Sequence, residues 1–104
     1  MSNLGEFLAQ CRKNKALSQK EVAALLGYVS GQFISNWERN ICMPPIPQLR
    51  DLAKIYEVSE QVLFNMILEK ELTQVAKELH KKLWDAQQEK IELPKIELKY
   101  QTKE

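Results

Sequence analysis

Residues 18–38 read SQKEVAALLGYVSGQFISNWE, from Ser18 to Glu38, and this stretch decides the fold. Ser18 followed by Glu21 is a capping box: the hydroxyl takes the amide three residues on, and the carboxylate reaches back to the cap. A second helix of the chain therefore starts at Gln19, with Val22, Ala23, Leu25 and Leu26 turned inward, and Gly27 supplies the backbone freedom that stops it. The spacing predicts a third helix over about 31–39, capped by Ser30, with Ile34 and Trp37 inward at helical spacing. Its outer face is then Gln32, Ser35 and Asn36, amide and hydroxyl groups suited to reading base edges by hydrogen bonding.

Working outward, Leu4, Phe7, Leu8 and Cys11 fall at i, i+3, i+4 and i+7 and place one apolar stripe on a first helix over about 3–14. Asn40, tolerant of a left-handed conformation, is the expected stop of the third helix. Pro44 and Pro45 forbid regular helix over 41–45. Pro47 suits the first turn of a fourth helix carrying Leu49, Leu52, Ala53 and Tyr56. Ser59 caps a fifth carrying Val62, Leu63, Met66 and Ile67. The resulting expectation is an all-α, five-helix domain over 1–68.

After Leu68 the pattern changes. Leu72, Ala76, Leu79, Leu83 and Ala86 alternate steps of four and three, the spacing of a coiled-coil seam, and Leu72, Ala76, Leu79 and Leu83 are the expected dimerisation residues. Over 91–100, IELPKIELKY alternates apolar and polar residues and reads as an extended arm interrupted by Pro94. Residues 69–104 thus form a C-terminal helix and arm.

With 104 residues and 44% hydrophobic content, the chain suffices for one modest core and not for two. Lysine and arginine number 15 against 14 acids, so overall charge gives no hint of a nucleic-acid partner or an anionic membrane surface. Locally, however, Arg12, Lys13, Lys15 and Lys20 occur between Phe7 and Lys20 with no acid among them, concentrating positive field at the N-terminal end. No apolar run approaches the roughly 20 residues that span a bilayer, and Met1 to Gln10 lacks the order of a secretion signal. A cytoplasmic protein with no membrane partner is expected. Cys11 and Cys42 make neither a disulfide framework nor a metal cluster, and read as reduced thiols. His80 is the single histidine and reads as solvated surface, with Lys81 and Lys82 beside it. No catalytic constellation, metal site or cofactor is expected.

Residues 4–67 resemble the phage-repressor and Cro-type helix-turn-helix family, also called the xenobiotic-response-element type. The resemblance rests on Arg12 at the end of the first helix, LSQKEVA over Leu17–Ala23, Gly27, ISNWE over Ile34–Glu38, and Pro44 ahead of LRDLAKIYEVS. It implies that Gln19 bonds a DNA phosphate, and that the third helix lies in the major groove with Gln32, Ser35 and Asn36 toward base edges. It further implies that Arg39 and the backbone following Asn40 hold phosphate on the far side, and that Arg12 and Glu38 tie the first helix to the third. Gly27 to Ile34 is one residue longer than the family's usual spacing, which puts an extra residue around Tyr28 and leaves open which of Ser30, Gly31 and Gln32 faces the bases. Phe33 is assigned first to the core and second to contact with a thymine methyl; Trp37 is assigned to the core.

These readings imply a sequence-specific regulator of double-stranded DNA, expected to be a repressor acting as a homodimer on a palindromic operator. The alternative is an antitoxin-like protein whose residues 69–100 bind a partner protein while its helix-turn-helix autoregulates. An enzyme has nothing in the sequence to support it.

Overall fold

The computed structural model describes residues 3–89. The expected arm over 91–100 lies outside them. In chain order the elements are α1 (Leu4–Asn14), α2 (Gln19–Leu26), α3 (Gln32–Glu38), a short 3-10 turn (Ile46–Gln48), α4 (Leu49–Tyr56) and α5 (Glu60–Gln88). Among the described residues there is no β-strand, so the fold is all-α.

α1 starts one residue later than expected, because Asn3 caps it by accepting the amide of Glu6 at 2.8 Å. The other local signals act as read. Both halves of the capping box form on α2: the Glu21 amide donates to Ser18 Oγ at 2.9 Å, and the Ser18 amide to Glu21 Oε1 at 2.7 Å. Gly27 takes the left-handed conformation at φ 90°, where any Cβ is strained. Asn40 ends the α3 segment with φ 61°. Ser59 Oγ accepts the Val62 amide at 3.3 Å at the start of α5.

The chain divides after Thr73. In the first unit, Leu4, Leu8 and Cys11 of α1, Val22 and Ala23 of α2, Ile34 and Trp37 of α3, Leu49, Leu52, Ala53 and Tyr56 of α4, and Leu63 and Ile67 of α5 form one buried cluster. α3 packs against both α1 and α2. This arrangement holds one face of α3 inside and leaves the other in solvent. In the second unit the described residues, 74–89, are all exposed and helical up to Gln88.

Several expectations need correction. Leu25 and Val62, assigned inward, are exposed, because burial narrows to Val22 and Ala23 on α2 and to Leu63 and Ile67 on α5. α3 begins at Gln32 rather than Gly31, and Gly31 occupies the cap position. Pro47 sits in the 3-10 turn that precedes α4 rather than in α4 itself. The expected fifth helix and C-terminal helix are one element of 29 residues; no Gly or Pro interrupts 60–88, so nothing ends the helix where the apolar pattern changes.

Candidate nucleic-acid interface

The inner side of α3 is fixed by buried side chains and by one charged joint. Ile34 and Trp37 lie in the core. Glu38 accepts from Arg12 Nε at 2.7 Å on one carboxylate oxygen, and from an Arg12 terminal nitrogen at 3.1 Å and Gln19 Nε2 at 2.9 Å on the other. Arg12 also donates to the carbonyl of Leu17 at 2.9 Å, closing the connector between α1 and α2. The bond to Glu38 raises the Arg12 pKa against the opposing effect of burial, so the guanidinium stays charged. Burial, with Glu38 nearby, pushes the Tyr56 phenol up as well, and burial does the same to the Cys11 thiol. The expected tie between the first and third helices is therefore present, and the chain adds Gln19 to it. The Gln19 amide expected at a phosphate is turned onto Glu38 in this structure.

On the outer side the polar groups meet one another. Gln32 Nε2 donates to Asn36 Oδ1 at 2.9 Å, and an Arg39 terminal nitrogen donates to the same oxygen at 3.2 Å. Arg39 Nε donates to Ser35 Oγ at 3.2 Å. All three bonds are exposed to solvent. Residues 32, 36 and 39, and residues 35 and 39, share a face because three and four residues make about one turn. Each of these exposed bonds is worth little net, so the groups exchange them for base edges or phosphate at small cost. Asn36 Oδ1 accepts twice, and bidentate reading of an adenine requires it to release at least one of its partners.

The remaining sequence-assigned residues separate into outward and inward. Ser30 is exposed and its hydroxyl accepts the Gln32 amide at 3.2 Å. At Gly31, a Cβ would stand 3.1 Å from the Lys20 amide nitrogen and 3.3 Å from Gln19 Cβ; this glycine lets the start of α3 approach the start of α2. Asn40 turns its side chain toward α1: Oδ1 accepts the Gly5 amide at 3.1 Å, and Nδ2 donates to Asn3 Oδ1 at 3.1 Å. Of the four N-terminal bases, Arg12 is paired with Glu38, and Lys15 with Glu57 at 2.6 Å, while Lys13 and Lys20 are exposed. His80, Lys81 and Lys82 are exposed, as are Leu72, Ala76, Leu79 and Leu83.

Two residues escaped the sequence reading. Gly5 lies where a Cβ would run into the Glu38 carbonyl and stand 2.7 Å from Asn40 Nδ2; a glycine inside the first turn of an amphipathic helix is the signal that marks such an approach. Val29 is 99% exposed. After Gly27, Tyr28 stays partly buried against the core, whereas Val29 faces solvent. Phe33, assigned first to the core, is 45% exposed and stacks on Tyr28 with ring centroids 4.4 Å apart.

Residues 8–63, more than half of the chain, match a protein-family model described as helix-turn-helix. No curated protein matches the chain.

Proposed function

The chain belongs to the Cro/C1-type helix-turn-helix family of DNA-binding transcription regulators, and we propose that it is a repressor that binds a palindromic operator as a homodimer. The observation that carries this reading is the outer face of α3, where Gln32, Ser35, Asn36 and Arg39 bond to one another in solvent. In the major groove, Gln32 and Asn36 pair with base edges and Arg39 with phosphate. Ser30 lies at the start of the same surface. Gln19, Gly31 and Asn40 support it from behind: Gln19 braces Glu38, Gly31 permits the close crossing of α2 and α3, and Asn40 fastens the end of α3 to α1. Gln19 Nε2 carries two N–H groups, so it can hold Glu38 with one and donate to phosphate with the other.

One helix reads too few base pairs to find a site in a genome, since each correct pair is worth about 1–3 kcal/mol. A symmetric dimer doubles the reading, with recognition helices about 34 Å apart. Leu72, Leu79 and Leu83 support the dimer, because each is more than half exposed on α5, and large aliphatic groups in a row call for a cover. Among the described residues no helix is long and apolar enough to cross a membrane.

Selection from random duplexes at two salt concentrations tests the reading. The expected product is a palindrome whose affinity falls steeply with salt; featureless binding overturns it. For the dimer, Leu79→Asp combined with Leu83→Asp should give a monomer by sedimentation and a large loss of operator affinity. A double variant that stays dimeric and binds as tightly as the parent removes these residues from the interface. Recovery of a stoichiometric small protein with the native chain would instead assign residues 69–100 to a partner.

A further inference from the structure

Val29 and Phe33 are apolar groups exposed beside the polar reading face, and hydrogen-bond readout does not use them. Tyr28 explains why Phe33 keeps a fixed place. The Tyr28 hydroxyl donates to Gln48 Oε1 at 2.6 Å, its ring meets Trp37 edge-on at 6.0 Å, and its face carries the Phe33 ring at 4.4 Å and 22°. One face of Phe33 is thus clamped to the core through a hydrogen-bonded tyrosine, while the rest stays in solvent. Around α3, Phe33 stands about 60° from Asn36 and about 100° from Gln32, between the buried side and the reading side. Val29 precedes this first turn and has almost no contact with the rest of the chain.

We infer that Phe33 and Val29 form an apolar reading edge for the 5-methyl groups of thymine. The chemistry is complementary to that of the neighbouring amides. A glutamine or asparagine that pairs with adenine N6 and N7 faces a base pair whose thymine presents its methyl in the same groove, and apolar side chains are the groups that recognise that methyl. A ring that is already ordered by Tyr28 loses little freedom when it meets the methyl. Val29 carries an exposed aliphatic side chain to the entrance of the reading helix.

This inference rests on the DNA-binding reading above, and the experiment separates the two. After selection of a preferred duplex, each thymine in one half-site is replaced in turn by deoxyuridine, which removes the methyl alone. The native chain should lose about three- to fivefold in affinity at one or two positions, the worth of one buried methyl. Phe33→Ser should bind the thymine and uracil duplexes equally at the main position. Val29→Ser, at a side chain with no packing to lose, should reduce the penalty there or at a neighbouring thymine; thermal melting checks that each variant is folded, and Phe33→Gln, which keeps side-chain bulk without the apolar surface, serves if Phe33→Ser is not. A selection that returns no preferred sequence overturns both readings. A preferred sequence with no methyl-sensitive thymine, or one whose sensitivity survives both substitutions, overturns this inference alone.

Discussion

On its inner side α3 presents Glu38, whose two carboxylate oxygens take three hydrogen bonds from Arg12 and Gln19; on its outer side Gln32, Ser35, Asn36 and Arg39 bond to one another in solvent. Both sides are polar, and the difference lies in what breaking a bond leaves behind. Removing a partner inside strands a charge in a place that water reaches poorly. Removing one outside returns the group to water at little cost. The inner joint therefore fixes where the helix stands, and the outer face remains available for exchange with another molecule.

The largest effect should come from breaking the inner side. Glu38→Ala removes the acceptor of all three bonds and leaves the Arg12 guanidinium, with 13% of its side chain exposed, without its counter-charge. The expected cost is about 3 kcal/mol, or a melting temperature lower by about 10–20 °C for a domain of this size. Circular dichroism against temperature measures it. A variant that melts with the parent would mean that apolar packing alone holds α3.

A smaller effect is expected where α1 closes on the end of α3. Gly5→Ala puts a methyl against the Glu38 carbonyl and the Asn40 side chain, and overpacking of this kind costs about 1–3 kcal/mol. Backbone cannot yield as a flexible side chain can. Denaturant titration should show a lowered midpoint with an unchanged slope; an unchanged midpoint would show that α1 shifts freely and that Gly5 does not set the approach.

The same contrast explains how much of the molecule was legible in its sequence. Signals confined to a few neighbouring residues acted as read: the Ser18–Glu21 box, Gly27 and Asn40 in left-handed conformations, and the Ile34–Trp37 pair in the core. Features that depend on distant partners were hidden. The roles of Gln19 and Asn40 depend on Glu38 and Gly5, 19 and 35 residues away, and no local pattern encodes those meetings. Leu25 and Val62 were misplaced because an apolar run on a helix is wider than the strip a neighbour covers. The change of apolar pattern after Leu68 falls inside one helix, so it does not mark a helix end. Period reports packing, whereas Gly, Pro and caps report where a helix ends. At the candidate site helical spacing puts Gln32, Ser35 and Asn36 on one side of α3, where their side chains meet one another and Arg39, but which of Tyr28 and Val29 turns inward required the fold, because only the core distinguishes them.

The smallest effect on stability, and the sharpest test of the comparison, belongs to Asn36. Asn36→Ala deletes an acceptor that serves both Gln32 and Arg39, yet both donors are in solvent, so stability should change by no more than about 0.5 kcal/mol. Binding should respond differently. Loss of one side chain that pairs with a base edge relaxes preference at one position per half-site, by about 1–3 kcal/mol, and leaves affinity for other changes intact. Arg39→Ala, removing the charge proposed to meet phosphate, should weaken all sequences alike and lower the salt slope by about one. Because Arg39 donates to Asn36, the two substitutions need not be additive, and the double variant measures their coupling. If Asn36→Ala weakens every sequence equally while Arg39→Ala shifts the preferred base, the assignments on the outer face are exchanged. If Asn36→Ala melts as low as Glu38→Ala, the two sides of α3 do not differ in kind, and the outer cluster is part of what holds the domain together.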